Sequence, residues 1–100
     1  ISHILKLGSG GYFPPHRDYR GMDIDSFRII IPLENMNPPS FTFIIDNQIQ
    51  YWNDGSLYFV DTAKMHYLFN ANSDPVYMVV LNVQLNETTI EFVTRNMKQA

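Results

Sequence analysis

Apolar and polar positions alternate along much of the chain with the period of two that a half-buried β-strand imposes. Residues 27–33, Phe-Arg-Ile-Ile-Ile-Pro-Leu, are rich in β-branched side chains and predict a strand. The same pattern predicts strands over 2–7, 12–19, 41–46, 49–52, 57–62, 66–70 and the valine-rich 76–85. Turn chemistry separates them. Gly8-Ser9-Gly10-Gly11 supplies backbone angles that other residues resist, and Asn53-Asp54-Gly55 marks a second turn. Residues 20–26 and 34–40 read as loops, and Asn47-Gln48 reads as a hairpin turn. Pro14 and Pro15 forbid helix and cannot donate to a ladder, so the strand after the glycines starts at an edge or irregularly. After residue 85 the period changes. Asn86 is placed as the N-cap of a terminal helix, with Glu87 and Glu91 early, Arg95 and Lys98 late, and Ile90, Val93 and Met97 on one face. Many short strands closed by one helix predict an all-β barrel or sandwich with a C-terminal helix.

Composition narrows the function classes. The 100 residues suffice for one core, and 45% hydrophobic with 14% aromatic residues is a globular composition. A net charge of −3 without blocks of like charge gives no basic surface for nucleic acid or anionic lipid. The chain has no cysteine, which excludes disulfides, thiolate metal sites and a cysteine nucleophile. No apolar run approaches the roughly 18 residues of a membrane span, and no signal peptide is visible. Asn86-Glu87-Thr88 fits a glycosylation sequon of the kind that arises by chance. A cytoplasmic setting is the default expectation. Because the chain starts at Ile1 in strand-like sequence, residues 1–100 are expected to be a single core taken from a longer chain, without its N-terminal flanking elements.

Against that background, Phe13-Pro14-Pro15-His16-Arg17-Asp18 carries the candidate chemistry. In extended backbone His16 and Asp18 project to one side, and Arg17 to the other. Far downstream, His66 ends Asp61-Thr62-Ala63-Lys64-Met65-His66. Two imidazoles and one carboxylate on one face of a metal form the facial triad of non-haem Fe(II) oxygenases, leaving open positions opposite. His-x-Asp alone is a weak signal; the strand pattern and the second histidine behind a turn and a strand strengthen it. His3, with no acid nearby, is expected to be structural or exposed.

The runs Gly-Gly-Tyr-Phe-Pro-Pro-His-Arg-Asp, Phe-Arg-Ile-Ile-Ile-Pro-Leu and Gly-Ser-Leu-Tyr-Phe-Val-Asp-Thr-Ala-Lys-Met-His-Tyr-Leu-Phe-Asn resemble the 2-oxoglutarate/Fe(II)-dependent dioxygenases. Within that superfamily they resemble most the aspartyl/asparaginyl β-hydroxylase-like branch, over about residues 4–83. The resemblance implies a double-stranded β-helix, that is, a cupin-like jelly-roll barrel. It also implies Fe(II), and decarboxylation of 2-oxoglutarate to succinate coupled to hydroxylation of an amino acid or peptidyl side chain. Carried over by position, His16, Asp18 and His66 are the metal ligands.

One position departs from the branch. Its members usually carry an arginine about ten residues after the distal histidine, to clamp the far carboxylate of 2-oxoglutarate; here that position is Val76. Arg28 is the leading replacement, since its guanidinium suits a carboxylate and an inward Arg28 would share its side with Ile30 and Pro32. Lys64, at the parity of His66, and Tyr58 are further candidates for cosubstrate contact. Tyr12, Tyr67 and Tyr77 offer hydroxyls of the same kind, and Arg20 could reach a substrate from its loop. Asn70 could hydrogen-bond a ligand histidine, and Asp61 could orient the His66 segment or cap a turn. Trp52 is expected to pack, and Asp23 and Asp25 to be solvated. No serine sits in a nucleophile elbow, the glycine run lacks the lysine of a phosphate loop, and Asp18 argues against a halogenase, which lacks that carboxylate. The expected partner is a small-molecule or peptide substrate, and nothing in the sequence specifies an oligomer. The competing reading is a cupin-like metal- or ligand-binding module without turnover, favoured by Val76 in the arginine position.

Overall fold

A computed structural model of the chain describes residues 2–18, 26–96 and 98–99. Among these residues nine strands and one helix run in the order β1 (His3–Leu7), β2 (Tyr12–His16), β3 (Ser26–Glu34), β4 (Phe41–Ile45), β5 (Gln48–Ile49), β6 (Tyr58–Val60), β7 (His66–Asn70), β8 (Val76–Gln84), α1 (Glu87–Asn96) and β9 (Lys98–Gln99). They form a five-stranded sheet, β1-β8-β3-β6-β9, and a four-stranded sheet, β2-β7-β4-β5. Strands adjacent in sequence mostly fall in different positions or different sheets. The result is a jelly-roll-like arrangement of two sheets with a C-terminal helix.

Period-two burial makes the sheets face one another. Phe41, Phe43 and Ile45 of β4 and Leu68 of β7 point inward from one sheet. Ile30, Tyr58, Val60, Val76, Met78 and Val80 meet them from the other. On β1 the odd residues turn in and Ile4 stays 68% exposed. Trp52 packs edge-on against Phe43 and Tyr58, as expected of it. Asn37 fastens the loop after β3 to Trp52 by accepting from its N–H and donating to its carbonyl.

Several boundaries differ from the sequence expectation: β2 ends at His16 instead of running to 19, and the strand expected over 57–62 shortens to β6. The hairpin turn falls on Asp46-Asn47, one residue earlier than Asn47-Gln48, because Ile45 pairs with Gln48. Both turn residues take positive φ (51° and 64°), the backbone of a type I′ turn that Asp and Asn tolerate. The expected strand over 49–52 shrinks to β5. The helix stops at Asn96, and Lys98–Gln99 pairs in parallel with β6. Met97 lies outside the described residues, as do Arg20, Asp23 and Asp25. Asn86 caps α1 as predicted, its Oδ1 accepting the Thr89 N–H while Thr89 Oγ1 accepts the Asn86 N–H. Among the described residues no helix is long and apolar enough to cross a membrane.

Candidate metal centre

β2 is an edge strand, and its prolines fit there because the ladder with β7 breaks between Phe13 and His16. Past that irregularity His16 stands opposite His66 in register, with ring centroids 4.3 Å apart. Asp18 follows β2, where its N–H donates to the Thr62 carbonyl at 2.9 Å. That bond ties the strand carrying the carboxylate to the segment leading into β7.

The two imidazoles are held alike. His16 Nδ1 lies 2.7 Å from the Pro14 carbonyl and His66 Nδ1 lies 2.8 Å from the Lys64 carbonyl. A carbonyl only accepts, so each Nδ1 presents an N–H to it, and each ring turns its Nε2 toward Asp18. Its Oδ1 lies 3.5 Å from His16 Nε2 and 3.6 Å from His66 Nε2. Donor atoms of His16, Asp18 and His66 all lie within 4.8 Å of one another, the sole such cluster among the described residues. His66 is buried, its side chain 5% exposed and stacked against the Phe43 ring, whereas His16 is 41% exposed. The site is closed below and open above. Two imidazole nitrogens plus one carboxylate oxygen, backed by carbonyl partners on the far ring nitrogens, fit a divalent iron.

Beside the cluster lies a cavity of about 300 Å³. Its polar lining is His3, His16, Asp18, Arg28, Thr62 and His66. Leu5, Phe13, Ile30, Leu68, Met78 and Val80 make the apolar wall, with Phe43 beneath His66.

The profile of the aspartyl/asparaginyl beta-hydroxylase family matches residues 2–86. The chain belongs to that family. It is therefore an Fe(II)- and 2-oxoglutarate-dependent hydroxylase, and the facial cluster is what such an enzyme requires. Curated proteins yield no match. The family match covers both sheets apart from β9 and leaves α1 outside.

For this β-hydroxylase relative, the expected site residues divide. His16, Asp18, His66 and Arg28 come together. Arg28 faces inward as anticipated, with Ile30 on the same wall, and its Nε lies 3.2 Å from Asp18 Oδ2. Lys64 and Tyr58 do not join them. The Lys64 residue is exposed, and its carbonyl rather than its ammonium serves the site, by orienting His66. Tyr58 is buried in the core with its hydroxyl accepting the Asn53 N–H at 2.8 Å. Asn70 is also buried, but it binds loop backbone rather than a histidine. Asp61 takes the turn-capping alternative, accepting the Ala63 N–H. Val76 is fully buried at the start of β8, paired with Leu7, and the β8 residues that reach the cavity are Met78 and Val80.

His3 is the residue that sequence reasoning set aside. It is exposed, as expected, yet it lines the cavity. Its odd parity with Leu5 and Leu7 was the available signal. The pairing of β1 with β8 is what turns that face toward the metal centre.

Proposed function

We propose that His16, Asp18 and His66 hold the Fe(II), and that the adjoining cavity receives 2-oxoglutarate and the target carbon of an amino acid or peptidyl side chain. The observation carrying this reading is the convergence of two imidazole Nε2 atoms on one carboxylate oxygen, all within 4.8 Å. The two-sheet arrangement supports reading the fold as the double-stranded β-helix of these oxygenases.

Bound iron supplies the oxidative decarboxylation of 2-oxoglutarate to succinate that accompanies hydroxylation. The chain's own residues do the positioning. His66, packed against Phe43, is the fixed ligand from which the geometry is set, and His16 closes the triad from the solvent side. The apolar wall of Leu5, Ile30, Leu68, Met78 and Val80 keeps water from the reacting carbon and packs the methylenes of a bound acid. Arg28 brings the permanent positive charge of the lining and is assigned to a carboxylate of the cosubstrate, in place of the arginine that Val76 replaces. Thr62, buried, and His3, exposed, add polar groups to the lining.

Succinate release tests the reading directly. With Fe(II), ascorbate and 2-oxoglutarate, the protein should produce succinate above a His16→Ala control. Equal amounts from the two proteins would sink it.

A further inference from the structure

The two oxygens of Asp18 are divided between partners. Oδ1 faces both Nε2 atoms, while Oδ2 lies 3.2 Å from Arg28 Nε. The pair is partly sheltered, with the Asp18 side chain 14% and the Arg28 side chain 29% exposed. It also crosses the fold. His16 and His66 belong to the four-stranded sheet, and Arg28 belongs to the five-stranded one. Within that sheet Arg28 is braced on both sides, opposite Asn82 of β8 and Val60 of β6. Its Cα is thus fixed by two neighbours, whereas Asp18 lies just beyond the end of an edge strand.

A carboxylate can bind a divalent ion through one oxygen or through both. The difference matters in a facial triad. Binding through both oxygens would use a further coordination position and leave two, where chelation by a 2-oxo acid and oxygen together need three. We propose that Arg28 is a positioning residue that engages Oδ2 of Asp18, restricts this ligand to coordination through Oδ1, and so keeps a third metal position open. The proposal rests on His16, Asp18 and His66 being the ligands, and adds a role for Arg28 separate from any contact with 2-oxoglutarate.

The test uses Mn(II) alone, without 2-oxoglutarate, so that no anchoring role enters. Water-proton relaxation counts the exchangeable waters on bound Mn(II) in wild type, Arg28→Gln, Arg28→Met and Arg28→Lys. The neutral variants should bind Mn(II) with about one fewer exchangeable water, and Arg28→Lys, which keeps the charge, should recover the wild-type count at least in part. Two neutral replacements are included so that one that fails to fold leaves the other to be read. A wild-type water count in a folded neutral variant overturns the proposal. Mn(II) affinity indifferent to His16→Ala would instead overturn the ligand assignment, and the proposal with it.

Discussion

At the scale of single residues, the site depends on backbone carbonyls as much as on side chains. His16 and His66 each use the carbonyl two residues back, from Pro14 and Lys64, to fix the ring orientation that turns Nε2 toward Asp18. This device makes Lys64 important through its main chain, so Lys64→Ala should leave the metal site in place. Tyr58 separates cavity from core more sharply. Its hydroxyl is committed to the Asn53 N–H beside the turn, so Tyr58→Phe should lower stability by about 1 kcal/mol. The Kd for 2-oxoglutarate, titrated calorimetrically on the Mn(II) form, should match wild type. A weakened Kd would return Tyr58 to the cosubstrate site. The triad was legible in the sequence because its spacing in extended backbone already puts His16 and Asp18 on one side. Arg28 was legible as an inward cation, but its contact with Asp18 was not, since that contact joins two sheets whose facing only the full topology determines. Lys64 and Tyr58 were misplaced for a related reason: parity gives the side of a strand and not the distance to a site.

At the scale of elements, Asn70 ties the end of β7 to the turn from which β2 starts. Its carbonyl accepts the Gly10 N–H and its N–H donates to the Gly11 carbonyl, which joins the end of β7 to the glycine turn. Its side-chain amide donates to the carbonyls of Leu7, Gly8 and Asp74, and Oδ1 accepts the Asn72 N–H. Gly11 is needed at that turn, because a Cβ there would lie 2.8 Å from the Gly8 carbonyl oxygen, which the backbone holds in place. The turn therefore starts β2 against β7, and the register shift between Phe13 and His16 then brings the two histidines opposite each other. Asn70→Ala would strip the donor from buried carbonyls, at about 1–3 kcal/mol for each group left unsatisfied. The expected loss is roughly 3 kcal/mol in a urea titration, accompanied by weaker Mn(II) binding in the protein that remains folded. Unchanged stability would show that the loops hold themselves. The strands themselves were readable from period two and β-branching. The strand expected over 49–52 came out as the two-residue β5, and β9 was not expected at all, because such short segments are defined by their partners and carry no periodicity of their own.

At the scale of the whole molecule, the metal centre sits where the two sheets approach, and it is assembled from residues far apart in the chain. β2 and β7 bring the imidazoles from one sheet, and the Asp18–Arg28 ion pair reaches the other. An unfolded chain cannot present these groups together, so a divalent ion binds the folded state with strong preference and must stabilise it by mass action. At a free metal concentration about 100 times its Kd the gain is roughly 2.7 kcal/mol. For a domain of this length each kcal/mol moves Tm by about 4–8 °C, so the midpoint should rise on the order of 10–20 °C. Differential scanning calorimetry with and without Mn(II) measures this shift. His66→Ala removes the buried ligand and should abolish the shift, whatever it does to the stability of the metal-free protein. Removal of residues 87–100 should preserve it. Helix α1 buries none of its residues, and it lies over Phe27, Phe59 and Leu85, on the side of the five-stranded sheet away from Arg28, Ile30 and the cavity. A truncated protein that retained its strands but lost the metal-dependent rise in Tm would mean that the helix shapes the site through the five-stranded sheet. The β6–β9 pairing, which sets one neighbour of the strand opposite Arg28, would then be the connection to examine.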